Sequence, residues 1–122
     1  MKWEDAKMCV LLDRLDLLRR SHDVLEKYEE YLRYLDDNDI DVHDVILKKM
    51  RNRPVKWLKN EYPYDIEDAH HYLVWSTIPL DPELLHDFVE KYTGGREYVT
   101  FVNPEHLKSI PSLWHAHVLV RM

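Results

Sequence analysis

His115-Ala116-His117-Val118-Leu119-Val120-Arg121 ends one residue before the last position of this 122-residue chain, and its reading decides the fold. The run is rich in β-branched and apolar residues and predicts a strand. Residues at i, i+2 and i+4 of a strand share a face. His115, His117, Leu119 and Arg121 therefore fall on one side, and Ala116, Val118 and Val120 on the other. The second set reads as the core face, which leaves His115, His117 and Arg121 to face solvent, a cleft or a second helical layer. Two further runs read as strands, His71-Tyr72-Leu73-Val74-Trp75 and Tyr98-Val99-Thr100-Phe101-Val102. In the first of these His71, Leu73 and Trp75 share a face. If it neighbours the final strand, His71 approaches the histidine pair.

Between those two runs lies a well-marked helix. Asp81 caps it, Pro82 takes the first helical position, and Leu84, Leu85, Phe88, Val89 and Tyr92 form its apolar face. Gly94-Gly95 ends it. Asn103-Pro104-Glu105 repeats the cap-and-proline pattern for one short turn, closed by Pro111. Residues 1 to 50 read almost entirely as helix. A first helix runs from Glu4 to Arg20 on Ala6, Val10, Leu11, Leu15 and Leu18. A second, capped by Ser21, carries the stripe Leu25, Tyr28, Leu32 and Leu35 and ends near Asp37. A third is capped by Asp41 or Asp39 and passes through Val42, Val45, Ile46 and Met50. The expected fold is α+β: a helical amino-terminal half, residues 1–53, packed on a small, mostly antiparallel sheet of about three strands in residues 54–122, with one long intervening helix. Residues 1–122 are expected to form a single domain.

The composition narrows the function. Seventeen Lys and Arg against 23 Asp and Glu give a formal net charge of -6, without a block of basic residues. Nucleic acid and anionic membrane surfaces are therefore not expected partners. The single Cys9 cannot form an intramolecular disulfide and suits a reducing compartment. The acidic start, Glu4-Asp5, is unlike a signal peptide, and no apolar run reaches the roughly 18–20 residues of a membrane span. A soluble cytoplasmic protein is the expectation. The polar run Asp36 to Asp41 lacks the central Gly and terminal Glu of a calcium loop, and Gly94-Gly95-Arg96 lacks the spacing of a phosphate loop.

Six of the eight histidines lie beyond residue 65, and three of them carry the candidate chemistry. His71, His115 and His117 on adjacent strands can bind zinc through neutral ring nitrogens. With Arg121 clamping oxygens they can instead serve phosphate chemistry, a histidine acting as base or nucleophile. The third reading is structural, with the imidazoles hydrogen-bonded inside the fold. Asn60-Glu61-Tyr62-Pro63-Tyr64-Asp65 is either a ligand-binding loop or a rigid aromatic turn, and Asn103 either contacts a ligand or caps its helix. Cys9, in an apolar helical run, reads as a core thiol.

The order Asn60-Glu61-Tyr62-Pro63-Tyr64, His71-Tyr72-Leu73-Val74-Trp75, Phe101-Val102-Asn103-Pro104, Leu107-Lys108-Ser109-Ile110 and His115 to Arg121 resembles the family typified by N-acetylglucosamine-induced protein 1 (domain of unknown function 3605), as a compact member. Glu61-Tyr62 stands where that family usually has Asp-Trp, and Asp65 where it usually has Gly, so the turn at 65 is expected to differ. The resemblance implies roles for Asn60, Tyr64, His71, Trp75, Asn103, Ser109, His115, His117 and Arg121, and a link to N-acetylglucosamine response. A weaker likeness is to the histidine-triad hydrolases, whose third histidine is here Leu119. The expected function is binding of, or action on, a phosphorylated or nucleotide-linked sugar. His71, His115 and His117 would be catalytic, and Asn60, Tyr62, Tyr64, Trp75, Asn103, Ser109 and Arg121 would bind the ligand. The alternative is a noncatalytic module with structural histidines and a protein partner. No cofactor is favoured, zinc at the three histidines being the minor alternative.

Overall fold

The computed structural model describes residues 1–108, 110 and 113–122. The helices are α1 (Trp3–Leu11), α2 (His22–Asp37), α3 (Val42–Met50) and α4 (Pro82–Thr93), with short 3-10 turns at Leu15–Leu17 and Glu105–Leu107. The strands β1 (Val55–Lys59), β2 (Ala69–Ser76), β3 (Tyr98–Phe101) and β4 (Trp114–Arg121) form one antiparallel sheet in the order β1-β2-β4-β3. The α+β expectation holds, with four strands in place of about three.

β1 is the strand the pattern did not reveal. It sits at the sheet edge and is partly buried on both sides: Val55 and Trp57 pack towards α4, while Leu58 joins the cluster under α3. With both faces covered, alternation between apolar and polar residues disappears. Lys56 and Lys59 keep this open edge charged, which discourages pairing with another chain.

The expected helix from Glu4 to Arg20 is broken after Leu11, where Asp13 takes a left-handed φ of 56° and Arg14 N–H bonds back to the Cys9 carbonyl. The reason is geometric. At 3.6 residues per turn, Leu15 would stand roughly 180° around a continuous helix from Ala6. The break instead lets Leu15 and Leu18 join Trp3, Ala6, Cys9, Phe101 and Leu119 in one core cluster. Asn103 does not cap the turn at Glu105–Leu107, where Pro104 takes that place without a side-chain bond because the Asn103 amide is engaged with Tyr64 and His117; the caps of α2, α3 and α4 follow expectation. Ser21 Oγ accepts from Val24 N–H, Asp41 Oδ1 from His43 N–H and Asp81 Oδ1 from Leu84 N–H. Of the two candidates for α3 it is Asp41 that caps. Gly94 and Gly95 end α4 at φ 60° and 81°, angles that strain a side-chain-bearing residue. On α4, Leu85 and Val89 are buried, but Leu84 is exposed and Tyr92 stacks on Trp57 at the rim, so the apolar face is narrower than the spacing suggested.

Register puts the two faces of the sheet to different uses. Tyr72, Val74, Ala116, Val118 and Val120 face α4 and form a largely aliphatic core with Leu85 and Val89. His71, Leu73, Trp75, His115, His117 and Leu119 face the opposite way, under the amino-terminal helical layer. The second helical layer, rather than solvent, covers the histidine face.

Candidate functional site

β2 and β4 are neighbours, and His71, paired with Leu119 in the register, lies one step along the same face from His117, paired with Leu73. The two rings meet with His71 Nε2 2.8 Å from His117 Nδ1, so the expected approach of His71 to the pair is realised. Both side chains are buried. The loop after β1 and the segment after β3 bring the remaining partners. Tyr64 N–H donates to His71 Nδ1 (3.1 Å), Asn60 Oδ1 accepts from Tyr62 N–H (2.9 Å), and the Asn60 amide lies against the His71 ring. Tyr64 stacks on His117 at 5.6 Å, and Asn103 Nδ2 lies 3.1 Å from the Tyr64 hydroxyl and 3.2 Å from His117 Nε2.

Hydrogen counting gives this chain a direction. The Tyr64 N–H can only donate, so His71 Nδ1 is unprotonated and the proton of the neutral ring sits on Nε2. That proton is donated to His117 Nδ1, which places the proton of His117 on its own Nε2. Two donors would then meet at Asn103, so the amide is turned with its oxygen to the imidazole, the two orientations being equivalent in shape. Neutral rings are what burial enforces. Desolvation, with the Arg20 charge adding repulsion, pulls His71 down to about 3 from the ordinary 6.5. Burial first, and the charges of His71, His115 and Arg20 after it, hold His117 well below the usual imidazole range.

His115 behaves differently. Its Nδ1 lies 3.0 Å from the Leu113 carbonyl, an acceptor only, so this ring carries its proton on Nδ1 and a lone pair on Nε2. No hydrogen bond reaches Nε2 among the described residues, and the ring borders a cleft. Burial lowers its proton affinity, partly offset by the Leu113 bond. Trp75, buried, packs on the ring at 4.3 Å.

His115, His117 and Trp75 border an open cleft between the sheet and helices α2 and α3, with a cavity volume of about 80 Å³. That room suits a few waters or one compact chemical group. Its mouth carries residues that sequence reasoning missed. Arg20 donates through Nε to the Tyr62 carbonyl (2.7 Å) and stands 4.4 Å over the Tyr28 ring. Lys49 and Lys59 lie on the same rim, Lys49 facing Glu61 at 3.6 Å. Tyr62 packs against Tyr28 (5.0 Å, tilted) and Tyr31 (5.7 Å, stacked) of α2. The i, i+3 spacing of Tyr28 and Tyr31 was the available signal for the tyrosines. Nothing local marked Arg20.

Arg121 is not at the cleft. It leaves the sheet at the exposed end of β4, where its guanidinium pairs with Glu4 (3.5 Å) and Glu97 (3.3 Å). Asn60, Tyr62, Trp75, His115 and His117 line the cleft; His71, Tyr64 and Asn103 stand behind it in the relay. Ser109, and the expected stop at Pro111, lie outside the described residues. Asp65 donates its N–H to the Arg19 carbonyl without a left-handed φ, so this turn does not require the glycine usual there. Among the described residues no three His, Cys, Asp or Glu side chains are arranged to hold a metal ion. The reason is visible in the relay, since zinc needs lone pairs converging at about 2.0–2.1 Å, whereas His71 and His117 direct theirs to each other and to the loop. Among these residues no helix is long and apolar enough to cross a membrane.

Comparison with known proteins agrees with the fold. A family model described as protein of unknown function (DUF3605) matches residues 2–121. A solved structure described as "Crystal Structure of HTC1" is similar with a TM-score of 0.78 and 22% sequence identity, over 99% of this chain and 85% of that one. At that identity the likeness shows the fold alone. No curated protein matches the chain.

Proposed function

The chain belongs to the DUF3605 family of proteins of unknown function, and from that premise we propose that it binds a phosphorylated or nucleotide-linked sugar in the cleft beside His115. The observation that carries the reading is the rim. In a chain of net charge -6, Arg20, Lys49 and Lys59 gather at one mouth against a single acid, Glu61, beside the packed rings of Tyr28, Tyr31 and Tyr62. Cations suit phosphate oxygens, and an aromatic platform suits the face of a sugar or base. The finer kinship, with N-acetylglucosamine-induced protein 1, belongs to the same proposal and rests on the ordered motifs; it points to N-acetylglucosamine as the sugar. Of the three histidines first considered catalytic, only His115 keeps a lone pair for a ligand. His71 and His117 are positioning residues here, and Arg20 takes the part expected of Arg121.

Titration calorimetry with N-acetylglucosamine 6-phosphate and with UDP-N-acetylglucosamine tests this. Binding should weaken roughly tenfold in a Lys49→Ala/Lys59→Ala variant whose melting temperature is little changed. No heat with either ligand would remove the ligand class.

A second reading, a noncatalytic module that meets a protein partner, is favoured by a separate observation. Both ring nitrogens of His71 and of His117 are engaged inside the fold, and at the opposite side of the sheet Tyr92, half exposed, stacks on Trp57 and meets Phe88 at a tilt. If His115→Ala changes stability but no ligand response, this reading replaces the first.

A further inference from the structure

The cleft is polarised from mouth to floor. Its mouth carries the Arg20 guanidinium and the Lys49 and Lys59 ammonium groups. Its floor carries a ring of the opposite character. His115 is only 5% exposed, its Nδ1–H is committed to the Leu113 carbonyl, and the nitrogen left over, Nε2, offers a lone pair and no proton. An anionic oxygen brought to that nitrogen would meet lone pair against lone pair in a desolvated place. A hydroxyl or amide N–H would donate to it.

Building on the ligand class proposed above, we infer that the cleft takes its ligand in one orientation, a neutral hydrogen-bond donor against His115 Nε2 at the floor and the anionic group at the mouth. The floor, walled by the buried rings of His115 and Trp75, receives a small neutral group such as a hydroxymethyl or acetamido group, with the ring it belongs to lying across Tyr62. The two neighbouring imidazoles do not compete for this role, because His117 is donor to Asn103 and acceptor from His71 and has no nitrogen to spare. A sugar phosphate meets the requirement hydroxyl or acetamide first. Inorganic phosphate meets only the half at the mouth.

His115→Asn is the discriminating variant, since its amide N–H can retain the bond to Leu113 while removing Nε2. Three probes are titrated: N-acetylglucosamine, N-acetylglucosamine 6-phosphate and orthophosphate. The expected result is that the variant weakens both sugars about tenfold and leaves orthophosphate unchanged, while Lys49→Ala weakens the two phosphates and spares the neutral sugar. Long-range ¹H–¹⁵N spectra of the imidazoles should show His115 as the Nδ1–H tautomer, with the Nε2 signal moved by either sugar and not by orthophosphate. An Nε2–H tautomer, or orthophosphate binding that His115→Asn abolishes, overturns the orientation. Heat from none of the three probes defeats the ligand class itself and the orientation with it. Sugar-phosphate binding insensitive to His115→Asn defeats the orientation alone.

Discussion

The two faces of one sheet are buried to similar depth by opposite chemistry. Towards α4, Val74, Ala116, Val118 and Val120 meet Leu85 and Val89, a face whose contacts need no direction and whose stability follows apolar area, about 1.5–3 kcal/mol per large side chain. Towards the amino-terminal layer, the alternate residues of the same two strands present His71, His115 and His117 to Asn60, Tyr64 and Asn103. There each group must find a partner, because an unpaired buried donor or acceptor costs on the order of 1–3 kcal/mol. Period two thus lets adjacent residues of a strand answer to different rules, packing at 116 and 118 and hydrogen counting at 115 and 117.

Acid should break the comparison most strongly. The folded-state values of His71 and His117 lie below the ordinary 6.5, so the unfolded chain binds more protons as pH falls. The stability is fully present above about 6.5 and is lost on the way down, for His71 towards about 3. Between pH 7 and 5, above the carboxylate range, His71 should remove about 2 kcal/mol and His117 should add to the loss in the same direction, read as a falling urea midpoint. A flat stability profile over that interval would mean that the histidine face is hydrated in solution.

Next in size is a matched pair of truncations. His117→Ala leaves His71 Nε2 and the Asn103 amide without their partner and opens a cavity, so a loss of about 3 kcal/mol is expected. Val118→Ala, on the other face of the same strand, removes only packing and should cost about 2 kcal/mol. Thermal denaturation distinguishes them, and the pH dependence should flatten in His117→Ala alone. Equal losses with unchanged pH profiles would erase the difference between the faces.

The smallest effect belongs to Arg121. Its pairs with Glu4 and Glu97 are solvent-exposed, so Arg121→Ala should change stability by no more than about 0.5 kcal/mol and leave ligand titrations as they were. A tenfold loss of ligand affinity in this variant would restore the role that its shared strand face suggested.

How far the site was legible depends on the kind of signal. Strand alternation was enough to place His115 and His117 together and to set His71 beside them if β2 and β4 paired, and the caps Ser21, Asp41 and Asp81 with the Gly94-Gly95 stop marked three of the helices. The edge strand β1 was not legible, because burial on both sides removes the alternation that announces a strand. Nor was the break at Asp13, which a long-range need to bury Leu15 and Leu18 imposes on a locally good helix.

By itself the amino-acid order determined periodicity, capping, composition and the set of polar side chains available, since each depends on near neighbours along the chain. Only the tertiary structure decided which cation serves the cleft and which imidazole stays open. Arg20 rather than Arg121 reaches the mouth because the loop after β1 folds back under it, and Arg121 runs past the sheet to Glu4 and Glu97. The tautomers of His71 and His115 are opposite because one meets a backbone N–H and the other a carbonyl. Partners of this kind come from distant segments and from backbone direction, which side-chain spacing does not encode.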